Sequence, residues 1–181
     1  YYSTVSYLDA LIGKLLKSLD DFGLRDNTTI VFWSDHGFFL GEHGFWCKHH
    51  TFQEAIHVPL LISSPGKKKN AVSNALVEYV DIYPTLCEIA GIDSPNYIHG
   101  KSMVPILENP NLGFKSEIYS RYQFREVVQD SDYSYHEILN YNKFYIDRQG
   151  NKKPTFDSDV NVAGYMLFDM KNDKAVSYTH L

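Results

Sequence analysis

SDHGFFLGEHGFWCKHH, Ser34 to His50, follows the β-branched apolar run Thr28-Thr29-Ile30-Val31-Phe32-Trp33. It sets one Asp, one Glu, four His and one Lys among glycines and aromatics. A solvated loop needs neither the glycines nor the aromatics, and a core segment does not tolerate the charges. Asp35 and His36 are adjacent, so on an extended strand their side chains would point to opposite faces. At a strand end turning through Gly37 that constraint relaxes, and both can reach one ion. Carboxylate oxygen and imidazole nitrogen are ordinary ligands for a divalent cation, and on donor type alone zinc or manganese is the first choice. Gly41 and Gly44 bracket Glu42-His43 and let the backbone return sharply toward the strand end, which delivers Lys48. An ammonium beside a metal suits a tetrahedral anion. The same residues have plainer readings: Asp35 as a turn cap, His36 as a hydrogen-bonded polar residue, Lys48 on the surface, Trp46 packing the loop. His43, His49, His50 and His57 each carry the plainer reading too. The residues alone leave a metal, an anion, or neither open.

Outward from this stretch, Val5, Leu8, Leu11, Ile12, Leu15, Leu16, Leu19 and Phe22 recur at helical spacing, with Gly23 as the stop. Asp9, Lys14, Lys17, Asp20 and Asp21 mostly occupy the other side, so an amphipathic helix packed on something larger is expected. Thr28–Trp33 reads as an inner strand of an α/β sheet covered by helices on both faces. Functional residues in such sheets gather at the carboxyl ends of strands, where Ser34 to Gly37 sits. Val58–Ser63 is the next expected strand, with Pro59 near its start. Val77–Ala90 is expected to be a helix stopped by Gly91, with Asp81 and Pro84 near its beginning as N-cap and first-turn proline. From Phe114 the texture changes. Glu117–Ser120, Lys143–Asp147 and Tyr165–Asp169 read as strands of a smaller antiparallel layer, with Arg148-Gln149-Gly150-Asn151 a turn.

The 181 residues carry a formal net charge of −5 and a heavy aromatic load, 14 Tyr and 11 Phe. That balance excludes a general nucleic-acid-binding face. The one basic run, Lys67-Lys68-Lys69, follows Pro65-Gly66 and reads as a solvated turn. No apolar run is long enough to span a bilayer. Cys47 and Cys87 are two free thiols or one bridge; their spacing marks neither a zinc site nor a disulfide framework. The chain starts at Tyr1-Tyr2 in a helical pattern, as a chain entered in its middle would.

The segment SDHGFFLGEHGFWCKHHTFQEAIHVPLLISSPG resembles the metal- and sulfate-binding segment of sulfatases in the alkaline phosphatase superfamily. Its frame S-D-H-G-x-x-L-G-E-H-G-x-W-x-K, followed by H-V-P-L, looks most like the iduronate-2-sulfatase group and its bacterial relatives. YYSTVSYLDALIGKLLKSLDDFGL is similar to the family's preceding helix. VEYVDIYPTLCEIAGI and HGKSMVPIL resemble its next signatures, and YMLFDMKNDK the start of its closing L-Y-D-L-x-x-D-P-x-E motif.

The resemblance implies an α/β fold: part of an alkaline-phosphatase-like sulfatase, with helices packed on a mixed sheet, followed by a smaller antiparallel C-terminal subdomain. Residues 1–113 would belong to the catalytic α/β domain and 114–173 to the subdomain. Residues 174–181, which replace the expected Pro-x-Glu, would be a truncated or non-native tail. Asp35 and His36 match two ligands of the family's Ca2+, and Lys48 matches its sulfate-binding catalytic lysine; His49 and His57 are further candidates for lining the substrate pocket. The family nucleophile is a formylglycine made in a C/S-x-P-x-R motif, which these residues lack: Cys47 is followed by Lys-His-His and Cys87 by Glu-Ile-Ala. The remaining ligands and the nucleophile are therefore expected upstream, in an N-terminal part of the same protein, and the 181 residues alone are expected to be inactive.

The implied reaction is hydrolysis of a sulfate monoester on a small molecule or oligosaccharide, with a sulfated sugar, such as those of glycosaminoglycans, the leading substrate. Choline-sulfatase-like enzymes, phosphonate monoester hydrolases acting on phosphate diesters, and a non-catalytic anion-binding scaffold are the rival readings. The family's usual settings are periplasmic, secreted or lysosomal.

Overall fold

The computed structural model describes residues 1–141, 144–146, 149–154 and 160–172. Helix α1 spans Tyr2–Asp21, closed by Phe22 and by Gly23 at φ 66°. Its apolar stripe forms as the spacing predicts, but no residue of it is buried, and Leu15 is 64% exposed. Among the described residues Ile12, Leu16 and Leu19 are half-buried and the rest of the stripe is exposed. A 3-10 turn at Arg25–Asn27 leads into β1, Ile30–Trp33.

Strand β1 is shorter than the sequence suggests and only half-buried, with Trp33 45% exposed. Two short strands, β2 (Phe39–Leu40) and β3 (Trp46–Cys47), pair antiparallel across the glycine-bracketed turn. The one-turn helix α2, Gln53–Ile56, precedes β4, Leu60–Ser63. β4 starts directly after Pro59, whose missing N–H is harmless there. It pairs antiparallel with β1, Ile30 opposite Ser63 and Trp33 opposite Leu60. Among the described residues β1 has this single neighbour.

The next helix begins later than its sequence pattern. A 3-10 turn, Tyr79–Asp81, precedes α3, Ile82–Ala90, and Gly91 ends it in the left-handed conformation at φ 68°. Asp81 stands at the N-cap position but does not cap α3 with its side chain. Fully buried, it accepts instead from the Glu78 amide at 2.8 Å, the Lys101 amide at 2.9 Å and Lys115 Nζ at 2.8 Å. Glu78 takes a second bond from Lys115 Nζ at 2.5 Å and one from the Tyr119 amide at 2.9 Å. Burial by itself would lower the Lys115 pKa, but the Asp81 and Glu78 carboxylates raise it on balance. Helix α4, Val104–Glu108, completes this layer, and Ile82, Met103 and Ile106 form its core, with Leu60 and Ile62 of β4 against them. Lys67 Nζ reaches Glu108 at 2.6 Å, so the basic run is tied at its first residue rather than solvated throughout.

Strands β5 (Ile118–Tyr122), β6 (Arg125–Gln129), β7 (Tyr133–Tyr141) and, after a short ribbon of β8 (Phe144–Ile146) with β9 (Lys152–Pro154), β10 (Val160–Asp169) build the antiparallel layer. Its order is β10-β7-β6-β5, with a bulge between Val162 and Gly164. The alternation of the sequence is realised in β7, where Ser134 and His136 face inward. Lys143, Asp147, Arg148 and the proposed tail 174–181 lie outside the described residues.

This sheet packs on the charged segment itself. Phe39 and Phe52, 0% and 3% exposed, share a core with Ala55, Met166 and Phe168. Rings of Phe52 and Phe168 meet edge to face at 5.7 Å, a favourable aromatic geometry. The irregular loop is therefore seated by large apolar side chains, although it contains little regular structure.

Candidate anion and metal site

At the end of β1 the chain turns sharply. The Ser34 hydroxyl donates to the His36 carbonyl at 2.6 Å, and the Gly37 amide donates to the Ala55 carbonyl at 2.7 Å. A Cβ at Gly37 would lie 1.9 Å from the Glu54 carbonyl oxygen, so only glycine lets this turn rest on α2. Tyr79 places its hydroxyl on the Ser34 carbonyl from the far side. Burial, then the Asp35 charge, raises the Tyr79 phenol pKa.

The loop then returns. The Leu40 amide donates to Glu42 Oε2 at 2.6 Å, and this bond heads the causes that hold the Glu42 carboxyl below its ordinary pKa. His43 sits at φ 54° and contacts Glu54 at 3.2 Å through Nε2. Cys47, directly before Lys48, is also left-handed at φ 69°. Both backbones are uncommon for residues with a Cβ, and both lie in the turn that aims Lys48.

The result is a convergence of Asp35, His36 and Lys48. His36 Nδ1 lies 2.7 Å from the Gly37 carbonyl, which can only accept, so Nδ1 carries the proton and Nε2 a lone pair. Lys48 Nζ donates to that Nε2 at 2.6 Å. Asp35 Oδ2 lies 3.3 Å from the same nitrogen. Two acceptors at that distance repel unless positive charge lies beside them, and Lys48 places its ammonium on the His36 side of the pair. Asp35 is 80% exposed at its side chain and presents its remaining oxygen to the surroundings.

The donor set suits two positions of a cation shell: a carboxylate, and an imidazole whose other nitrogen is fixed by a backbone carbonyl. Among the described residues no third His, Cys, Asp or Glu joins them. A metal at His36 Nε2 and the Lys48 ammonium would use the same lone pair and are alternatives there.

His49 and His57 line the same cleft, of about 1820 Å3, as Asp35, His36 and Lys48. His49 Nδ1 is 2.8 Å from the Tyr122 hydroxyl at the end of β5. His50 turns the other way, into the aromatic core, with His136 below it. Burial lowers both pKa values to about 4, that of His50 with Arg125 and His43 adding to it, that of His136 with His50 and Arg125. Cys47 and Cys87 are free thiols, which closes the question of a bridge between them. Sequence patterns gave no hint of Tyr79 or Tyr122. Each reads as an ordinary member of its helix or strand, and only the packing of distant segments brings it to the site.

The sulfatase family model matches residues 1–92. N-acetylglucosamine-6-O-sulfatase of Bacteroides thetaiotaomicron is 35% identical over 175 residues, covering 96% of this chain and 30% of that protein. Iduronate 2-sulfatase of Homo sapiens is 30% identical over 198 residues, covering 92% of this chain and 35% of that protein. A solved structure of a protein in complex with its substrate D-glucosamine-2-N,6-O-disulfate superposes with a TM-score of 0.79 at 30% identity, covering 97% of this chain and 34% of that one. The chain spans about a third of the length of these relatives.

Proposed function

The chain belongs to the sulfatase family, and from that premise we propose that the protein it represents hydrolyses sulfate monoesters of sugars, with Asp35, His36 and Lys48 in the anion site. The observation that carries this reading is the convergence of three groups on one nitrogen: His36 Nε2 has Asp35 Oδ2 at 3.3 Å and the Lys48 ammonium at 2.6 Å. Such a cluster calls for positive charge at one point and offers a mobile cation beside it.

Family membership implies a divalent metal and a formylglycine; the finer reading is Ca2+ on Asp35 and His36, with the nucleophile contributed from outside these 181 residues. The metal would supply Lewis-acid stabilisation of the transferring sulfuryl oxygens, and the formylglycine the attacking oxygen. The chain's own residues do the rest. The Gly37 carbonyl holds the His36 proton on Nδ1 and so leaves the Nε2 lone pair facing the site. Lys48 neutralises charge on a sulfate oxygen, with three donors that can rotate to follow it. His49 and His57 border the substrate side of the cleft. Residues 1–113 would act as part of the catalytic portion and 114–173 as the subdomain that closes over it.

Lys48→Ala in the full-length protein tests the assignment. Turnover of a sulfated monosaccharide should fall about 100- to 1,000-fold, as for loss of one charge-stabilising donor, with the melting temperature unchanged. Retention of most activity would show the assignment to be wrong. Comparing a sulfate monoester with a phosphate diester on the unaltered protein separates this reading from a phosphonate monoester hydrolase.

A further inference from the structure

Strands β5 and β6 turn through two residues, Gln123 and Phe124. Gln123 occupies the left-handed region at φ 52°, where glycine is the ordinary choice. A bulky side chain kept on such backbone points to a use for that side chain. Its amide nitrogen donates to the Tyr122 hydroxyl at 3.2 Å, and that hydroxyl lies 2.8 Å from His49 Nδ1. The Tyr122 and His49 rings lie 5.6 Å apart at 32°.

The direction of these bonds follows from their inventory. A phenol oxygen has one proton to give and ordinarily accepts one bond in the plane of its ring. With Gln123 donating to the phenol oxygen, the Tyr122 proton is left to point at His49 Nδ1. The neutral imidazole must then carry its own proton on Nε2, as a donor. His49 follows Lys48 in the chain, and both line the cleft with His36 and Tyr122.

We propose that Tyr122, oriented by Gln123, is a positioning residue that fixes His49 as an Nε2–H donor beside the sulfate-binding lysine. That donor recognises a hydroxyl or ring-substituent oxygen next to the scissile sulfate ester. The β5–β6 hairpin, 73 residues downstream of His49, thereby selects sulfated sugars over flat aryl sulfates, which offer no such oxygen. The inference rests on the sulfatase reading above.

The test uses the full-length protein, 4-nitrophenyl sulfate, and the best substrate from a panel of sulfated hexosamine and uronate monosaccharides. Tyr122→Phe keeps the ring and removes only the hydroxyl. It should lower kcat/KM on the sugar about tenfold, mainly through KM, and leave the aryl ester within about threefold. Adding Tyr122→Phe to His49→Ala should cost nothing more, because the two act as one unit. His49→Gln, which keeps a side-chain N–H, should restore part of what His49→Ala loses. Gln123→Gly should weaken sugar turnover while leaving the fold intact. Unchanged sugar turnover in Tyr122→Phe, equal losses on both esters, additive losses in the double variant, or an unaltered protein that cleaves only the aryl ester would each overturn the proposal. An unaltered protein that hydrolyses neither ester removes the sulfatase reading itself, and this inference with it.

Discussion

Helix α1 and the loop from Asp35 to Lys48 stand in the same third of the chain and are held by opposite means. The helix is regular over 20 residues yet buries none of them, and is supported by its own backbone ladder and pairs such as Lys17–Asp21 at 2.7 Å. The loop has only two two-residue strands, yet Phe39 and Phe52 anchor it against Met166 and Phe168 from the far end of the chain. Regularity and rigidity are thus separate properties here. The segment that must hold three side chains within a few ångströms of one another is the one built on packed aromatic rings.

The largest effect should come from removing that anchor. Phe52→Ala empties a site touched by the rings of His43, Phe45, His50, His136 and Phe168, and should cost about 3–5 kcal/mol in denaturant unfolding. Leu15→Ala on the exposed stripe of α1 should change stability by about 0.5 kcal/mol or less. Equal losses would break the contrast. Two glycines sharpen it. Gly37→Ala drives a methyl into the Glu54 carbonyl and should cost about 3 kcal/mol. Gly13→Ala, with nothing within 4 Å, should stabilise α1 by about 0.5–1 kcal/mol. Thermal melts of the two variants should move in opposite directions.

The histidines beneath the loop give the contrast a pH dependence. His50 and His136 have folded-state pKa values of about 4, below the 6.5 of an unfolded histidine. A depressed histidine takes up its proton more readily in the unfolded chain, so stability is complete above pH 6.5. It should fall on acidification through the window from 6.5 to about 4, by at most about 3 kcal/mol for each histidine. His136→Gln should flatten that part of the curve, and an unaltered slope would show that other groups set it. The smallest effect belongs to the helix surface, where Lys17→Ala should cost about 0.3 kcal/mol and vanish in high salt.

Much of this was legible in the sequence, for identifiable reasons. The helical spacing of Val5 to Phe22, the stop at Gly91 and the strand after Pro59 are local patterns, and local physics realises them. Asp35, His36 and Lys48 could be linked because Gly41 and Gly44 between them announce a chain reversal. Strands β6 and β7 were not anticipated: Arg125–Gln129 carries charges, and the alternation in Tyr133–Tyr141, a strand signal, went unread. The half-buried state of β1 was also missed. An apolar run tells which residues avoid water and not which partner covers them. Tyr79 and Tyr122 could not be read at all, because each reaches the site through a contact 45 or 73 residues distant.

The clasp around Asp81 has a consequence for the order in which the chain is made. Asp81 is fully buried, and its counter-charge, Lys115, also binds Glu78, 37 residues earlier in the sequence. Ribosomes add about 5–20 residues per second, so roughly 2–7 s separate the emergence of the two ends. Over that interval a buried Asp81 would lack its partner at a cost of several kcal/mol, and the 78–81 turn remains solvated. The start of α3 is seated only when the first strand of the C-terminal sheet arrives, which makes late synthesis, rather than local helix formation, the timer for closing this side of the molecule.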